Sequence, residues 1–292
     1  MNFCPDRNFS VIDTYFVITG ASSGIGFSTL VEASKRTPLK LIATCRPGSS
    51  IDIPGIDFHS VELDLSSEQS ITNAAAQILK ISGGKIAGLF NNAGYALQLA
   101  MEDTPSESLK NQMQVNFLGP VQLTNLLLPA IRAFPGSKVI FNSSVLGFVT
   151  MPFRGPYSAS KYAVEAAADA YRMELQNTNT SIVIIQPGPI NANFKANALS
   201  QLNAHASVIR KSRLSYVRVL ARLIAGYAAS ETTSETVAKC VIDIINTDRP
   251  KPRYRITRAT MICNLIRWLP TPLKDKMFLR AEKVDLNVSN SK

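Results

Sequence analysis

The chain has 292 residues, 46% of them apolar and 18% charged, which is enough apolar material to bury one large core and too little charge for a disordered chain. A formal net charge of +10 fits an anionic partner (nucleic acid, an anionic membrane surface or an anionic cofactor) and is silent about fold. Cys4, Cys45, Cys240 and Cys263 form no CxxC pair and only His59 and His205 accompany them, so no metal site is expected and a reducing cytoplasm is. The opening MNFCPDRNFS lacks a basic start followed by an apolar run, and no apolar stretch is long enough to span a bilayer. Neither a signal peptide nor a membrane-crossing helix is expected.

Strand-like and helical stretches alternate along the chain. A strand is expected at Tyr15–Thr19, then others at Lys40–Thr44 and Asp57–Val61. A helix follows at Ser67–Lys80, opening on Ser-Ser-Glu, and then a strand at Ile86–Phe90. A long helix is expected at Ser106–Ala133, behind the cap and first-turn pair Thr104-Pro105. Next come a strand at Lys138–Asn142, an alanine-rich helix at Tyr157–Gln176 and a strand at Ser181–Gln186. Residues 190–230 break the alternation as an insertion. It resumes with a helix at Thr232–Asn246 and a less regular strand at Arg253–Thr257. Several strands are continuous in Val, Ile, Leu and Phe, as strands buried on both faces are. The pattern implies a doubly wound α/β domain with a parallel sheet between two helix layers. Residues 1–258 form that domain, and 259–292 a basic, apolar C-terminal extension.

The first strand runs into Thr19-Gly20-Ala21-Ser22-Ser23-Gly24-Ile25-Gly26, with a helix behind it. Glycines let a backbone turn sharply and approach a pyrophosphate, and the helix start offers free N–H groups and a positive dipole end. A plain glycine-rich βα turn is the alternative, and the place directly after the first strand favours the nucleotide. The Gly-x3-Gly-x-Gly spacing resembles the short-chain dehydrogenase/reductase family, and further motifs arrive in that family's order. Asp64 follows the third strand, Asn91-Asn92-Ala93-Gly94 closes the fourth, and Asn116 sits mid-helix. Ser143-Ser144 ends the fifth strand, Tyr157-Ser158-Ala159-Ser160-Lys161 follows, and Pro187-Gly188 ends the sixth. The run Gln186–Ile190 and the tail look like the branch holding steroid and retinol dehydrogenases and bacterial NADPH-dependent aldehyde reductases. The resemblance implies a Rossmann-like fold and a homo-oligomer, dimer or tetramer. It also implies a cofactor site drawn from Gly20, Ser22, Ser23, Gly24, Ile25, Gly26, Arg46, Asp64, Leu65, Asn91, Ala93, Gly94, Tyr157, Lys161, Pro187, Gly188 and Ile190. Family members often carry a threonine where this chain has Ala192, flanked by Asn191 and Asn193.

Tyr157 and Lys161 stand four apart and share a helix face. A free tyrosine titrates near 10, and an ammonium beside it favours the phenolate. Tyr157 can then donate a proton to a carbonyl oxygen, or take one from an alcohol. Ser144, thirteen residues earlier, can hydrogen-bond the same oxygen. Ser143 is one residue off the family spacing and receives no role. Asn116 would hold a water linking Lys161 to solvent. Taken singly, each of these residues reads as an ordinary surface or core residue; together, in register with a nucleotide loop, they read as a catalytic set.

Cofactor choice hangs on the end of the second strand. NAD users of the family that the chain resembles place an acid here to accept hydrogen bonds from the ribose hydroxyls, whereas Cys45 is neutral and Arg46 can pair with a 2′-phosphate. NADP(H) is therefore expected. Residues 175–230 hold no acid and several basic residues, among them Arg210, Lys211, Arg213 and Arg218. The mixed stretch Ser207–Tyr227 suits a lid whose Leu199, Leu202, Val208, Leu214, Val217, Leu220 and Ile224 wall an apolar pocket. Arg249–Arg258 carries five basic residues before apolar Met261–Leu269. That segment fits a helix lying in a membrane interface as a weak peripheral contact, and also a lid or a solvated basic face. Nucleic acid is not expected, since no binding motif accompanies the charge. The reading is a reductase of small apolar aldehydes or ketones. A catalytically silent NADPH-binding regulator or membrane-associated scaffold is the alternative.

Overall fold

The structure is a computed structural model that describes residues 13–190, 194–225 and 232–282. It begins with β1 (Tyr15–Ile18), α1 (Gly24–Arg36), β2 (Lys40–Cys45), β3 (His59–Glu62), α2 (Glu68–Ser82) and β4 (Ile86–Asn91). Then come α3 (Ser106–Met113), a π-helical turn (Gln114–Leu118), α4 (Gly119–Ala133), β5 (Lys138–Asn142), a 3-10 turn (Val145–Gly147), α5 (Gly155–Glu174) and β6 (Ser181–Gln186). The insertion holds α6 (Phe194–Ala204), α7 (Ala206–Lys211) and α8 (Val217–Ala225). The chain continues through α9 (Ser234–Asn246), β7 (Arg253–Arg255), α10 (Arg258–Ile266) and α11 (Thr271–Glu282).

The described strands form one parallel seven-stranded sheet in the order β3-β2-β1-β4-β5-β6-β7. Successive side chains leave opposite faces, so Tyr15 and Val17 enter one core while Phe16 and Ile18 enter the other. The first core is closed by Ile71 and Ile78 of α2, Leu123 and Leu127 of α4, and Val164 and Ala168 of α5. The second is closed by Leu30 of α1 and Val237 and Val241 of α9. Each large apolar side chain so buried contributes about 2 kcal/mol. The order reverses between β1 and β4, which opens a crevice at the C-terminal strand ends.

Three local expectations change. The helix expected over 106–133 is interrupted at Gln114–Leu118. There Asn116 turns inward to bond the backbone of Tyr95, and Gly119 lies against the Leu65 carbonyl. The last strand stops at Arg255, because the Thr257 hydroxyl accepts from Thr260 N (3.1 Å) and starts α10 instead. The stretch 207–227, whose basic and apolar residues alternate at roughly helical spacing, is not one helix: it breaks after Lys211, where Ser212 and Tyr216 both donate to Asp103 Oδ2 (2.6 and 2.7 Å). Residues 226 and 227 lie outside the described residues, as do Asn191, Ala192 and Asn193.

Candidate active site

The parallel sheet sends every strand's C-terminal end to one edge, and most of the sequence-predicted residues follow those ends. Gly20, Ser22, Ser23, Gly24, Ile25 and Gly26 form the turn from β1 into α1. Gly20 and Gly24 adopt φ of 67° and 57°, a region that favours glycine. Ser22 and Ser23 are exposed. Ser23 caps the helix in an extended conformation without a side-chain cap bond, and no acid occupies the first turn. That leaves the start of α1 electropositive with donors facing out. Gly26 is buried, and a β-carbon there would collide with the Gly20 carbonyl and reach 2.7 Å from Asn92 Nδ2.

The next strand ends line the crevice. Arg46 is exposed just beyond β2, beside the buried Cys45, whose thiol donates to Ser49 O (3.2 Å). Asp64 follows β3 and accepts from the backbone and hydroxyl of Ser66 (2.9 and 2.7 Å), while Leu65 is buried. Asn91 ends β4. Its amide donates to Thr124 Oγ1 (2.8 Å), and its buried Oδ1 has no partner among the described residues. Ala93 N donates to Thr19 Oγ1 (3.0 Å), and Gly94 is exposed against Asn116 Oδ1. Beyond β6, the Pro187 carbonyl accepts from Val145 N (2.8 Å). Gly188 lies so close to Thr257 that a β-carbon would overlap its hydroxyl, and Ile190 packs on the second core.

Tyr157 and Lys161 sit in the first two turns of α5, which opens with Gly155-Pro156. Gly147 lets α5 approach the 3-10 turn closely, because a β-carbon there would stand 2.5 Å from Ser143 Oγ and 3.2 Å from Lys161 O. Tyr157 therefore packs on the cluster of Val145, Leu146 and Phe148, immediately after Ser144. Lys161 Nζ lies 5.7 Å from the Tyr157 ring centroid and donates to Asn142 O (2.6 Å). Lys161 is buried, and burial pushes its ammonium down to about 8, against a smaller upward pull from Glu165. The Ser144 hydroxyl oxygen accepts from Leu146 N (3.1 Å), which leaves its hydrogen free to point elsewhere. The Asn116 amide is largely committed. Its Oδ1 accepts from Tyr95 N (3.0 Å), and Nδ2 donates to Tyr95 O (2.8 Å) and Ser160 Oγ (3.0 Å).

Residues the sequence reading left unassigned complete the frame. Asn92 Nδ2 donates to Thr19 O (2.9 Å) and Gly20 O (3.4 Å), while its Oδ1 accepts from Asn142 Nδ2 (2.9 Å). With the bond from Lys161 to Asn142 O, a hydrogen-bonded path joins the glycine turn to the α5 lysine. Glu165, one helical turn beyond Lys161, accepts from Gln186 Nε2 (2.9 Å) and Arg253 Nε (3.1 Å) and so ties α5 to β6 and β7. Its i+4 spacing from Lys161 was visible in the sequence, but its partners were not.

Around the insertion, Leu202, Tyr216, Val219 and Leu223 pack on Leu97, Leu99 and Phe153, with Leu199, Leu214 and Leu220 partly buried against them. Val217, expected on that wall, is instead 70% exposed, and Ile209 packs there. The side chain of Ile224 is outside the described ones. Among the described residues, no group of three His, Cys, Asp or Glu could hold a metal ion, and no helix is long and apolar enough to cross a membrane.

Residues 14–203 match the short chain dehydrogenase family. The uncharacterized oxidoreductase YbbO of Escherichia coli is 33% identical over 91% of this chain and 94% of its own length. The NADPH-dependent 3-dehydrocapnine reductase of Ornithobacterium rhinotracheale is 31% identical over 91% and 96%. A solved short chain dehydrogenase of Burkholderia cenocepacia in complex with NADP has a TM-score of 0.73 at 18% identity, covering 93% of this chain and 99% of that one. At that identity it speaks for the fold alone, and another solved structure of the same kind holds NAD. Glycine turn, sheet order and sequence matches over most of the length agree, and the chain belongs to the short-chain dehydrogenase/reductase family of oxidoreductases.

Proposed function

We propose that the chain reduces the aldehyde or ketone of a small apolar substrate to the alcohol, reversibly, with NADPH as cofactor and Tyr157 as proton donor. The observation that carries this reading is the α5 face, where the buried Lys161 ammonium lies over the Tyr157 ring beside the turn that follows Ser144. An ammonium at that place lowers the cost of removing the phenolic proton. Tyr157 donates that proton to the carbonyl oxygen as the carbon is reduced, and in the reverse direction takes it from the alcohol. Ser144, whose oxygen already accepts from Leu146 N, turns its O–H toward the same oxygen and stabilises the charge that develops there. NADPH, when bound, supplies the hydride. With the Asn116 amide committed to Tyr95 and Ser160, it would be the backbone of the π-helical turn at Asn116 that holds a water linking Lys161 to solvent.

The residues present fit the cofactor. The uncapped start of α1 and its positive-φ glycines form a cradle for a pyrophosphate. Asp64 and Leu65 would meet the adenine, and Asn91, Ala93 and Gly94 the adjoining ribose. Lys161 would hold the nicotinamide ribose, with Pro187, Gly188 and Ile190 along the nicotinamide. Arg46 would pair with the 2′-phosphate from its exposed place beyond β2. The apolar contacts under the insertion support an apolar substrate. A homo-oligomer, dimer or tetramer, belongs to the same proposal, supported by exposed Leu126 on α4 and Tyr162 and Met173 on α5.

Arg46→Ala tests the cofactor assignment. A well-formed guanidinium–phosphate pair contributes about 2 kcal/mol, so NADPH affinity should fall more than ~10-fold while NADH binding stays nearly unchanged. Equal losses for both cofactors, measured by fluorescence titration, would remove Arg46 from the 2′-phosphate.

A further inference from the structure

The C-terminal helices present two faces of opposite character. On α10, Thr260 and Cys263 are buried, and Ile266 packs with Cys263 and Phe278 against Val145, Leu146 and Phe148, the turn that follows Ser144. On the other side, Met261, Ile262 and Leu265 are 55%, 57% and 72% exposed, and Trp268 just past the helix is 78% exposed. Positions 261, 265 and 268 follow the i, i+4, i+7 spacing of one helix face. On α11, Leu273 and Met277, again four apart, are also exposed. Single exposed apolar residues are ordinary, but six of them on two consecutive helices whose buried sides share one cluster are not.

Exposed cations stand near these residues in the sequence. Arg258 is exposed one turn before Met261, and Lys276 and Arg280 are exposed beside Met277. From Arg249 to Glu282 the sequence has nine Lys and Arg against two acids, Asp275 and Glu282. Of these cations, Arg253 is occupied by Glu165 and Asp169. The Arg267 guanidinium lies 5.4 Å from the Phe148 ring centroid and 5.2 Å from that of Trp268, so it links the exposed indole to the loop behind Ser144.

We propose that the exposed face of α10 and α11 docks on an anionic lipid surface, with Met261, Leu265 and Trp268 in the interface and Arg258, Lys276 and Arg280 at the headgroups. Apolar residues flanked by cations, with a tryptophan at the margin, match such a surface in both polarity and charge. At nine residues α10 is too short to span, so it lies in the plane. A second copy of the chain is a poorer occupant: pairing this face with itself would set Arg258, Lys276 and Arg280 against one another on a chain of net charge +10. The buried side of the same helices packs beside Tyr157, so docking brings the proposed site to the source of an apolar substrate. The inference stands on the surface and needs no turnover.

Trp268 is the sole tryptophan of the chain, so its fluorescence reports the face directly. The full chain is titrated with vesicles of phosphatidylcholine alone and of phosphatidylcholine mixed with phosphatidylglycerol, and binding is checked by sedimentation. The expected result is a blue shift and co-sedimentation with the anionic vesicles only. Arg258→Glu combined with Lys276→Glu should weaken partitioning roughly 10-fold or more, and raised salt should do the same. Leu265→Asp should abolish the shift, and because Leu265 is exposed the variant should keep its melting temperature. Unchanged emission with anionic vesicles would overturn the proposal, as would equal, salt-insensitive binding to neutral ones. A blue shift that appears on concentration without vesicles, together with a heavier species in sedimentation, would make the face a self-interface and overturn it too.

Discussion

Tyr157→Phe should lower turnover by roughly 10³-fold, about 4 kcal/mol of transition-state stabilisation, while NADPH affinity stays within about threefold of wild type. The ring survives the change, so its packing against the Val145 cluster and its place beneath Lys161 survive with it. Only the proposed proton donor disappears. Lys161→Ala is the informative contrast. It removes the ammonium beside the phenol and also the bond to Asn142 O that ends the path from the glycine turn, so kcat and NADPH binding should fall together. Stopped-flow turnover and fluorescence titration on both variants separate the two roles. Near-normal turnover in Tyr157→Phe would show that another group donates the proton.

Gly26→Ala should cost about 2 kcal/mol of stability and at least ~100-fold in NADPH affinity, although the change adds one methyl group. The glycine is buried where the new carbon would meet the Gly20 carbonyl, and Asn92 Nδ2 leaves no room on the other side. The turn must then open, and the start of α1 shifts away from the place where a pyrophosphate would lie. Gly24→Ala is the control: nothing stands within 4 Å of its β-carbon, and the cost there comes from φ of 57° alone. Thermal melts and cofactor titration measure both. Equal behaviour of the two variants would contradict the close-approach argument for Gly26.

The sheet was legible because its strands are buried on both faces. Val139–Phe141 and Ile182–Ile185 are unbroken apolar runs that admit few other readings. The candidate site was legible where a motif rides on a strand end, as Gly20 and Asn91 do. Periodicity could not reveal the interruption at Gln114–Leu118. It depends on Asn116 finding the Tyr95 backbone 21 residues away, a bond no local propensity encodes. The pairing of Asn92 with Asn142 and of Glu165 with Arg253 is likewise tertiary. Val217 was placed on the pocket wall by composition. The chain turns at Ser212–Tyr216 to meet Asp103, and that rotates Val217 outward and Val219 inward. The tail reads as basic and apolar in the sequence, but nothing in the sequence shows that one of its faces packs behind Ser144.

Turnover of a carbonyl at the expense of NADPH can be followed directly by absorbance at the reduced nicotinamide band. Purified protein is mixed with NADPH or NADH and a panel of aldehydes and ketones graded from polar to apolar. NADPH should be consumed in step with alcohol formed, kcat/KM should rise along the apolar side of the panel, and NADPH should be preferred to NADH more than ~10-fold. Tight NADPH binding with no consumption against any member of the panel would contradict the proposed turnover and leave the chain a cofactor-binding protein without catalysis.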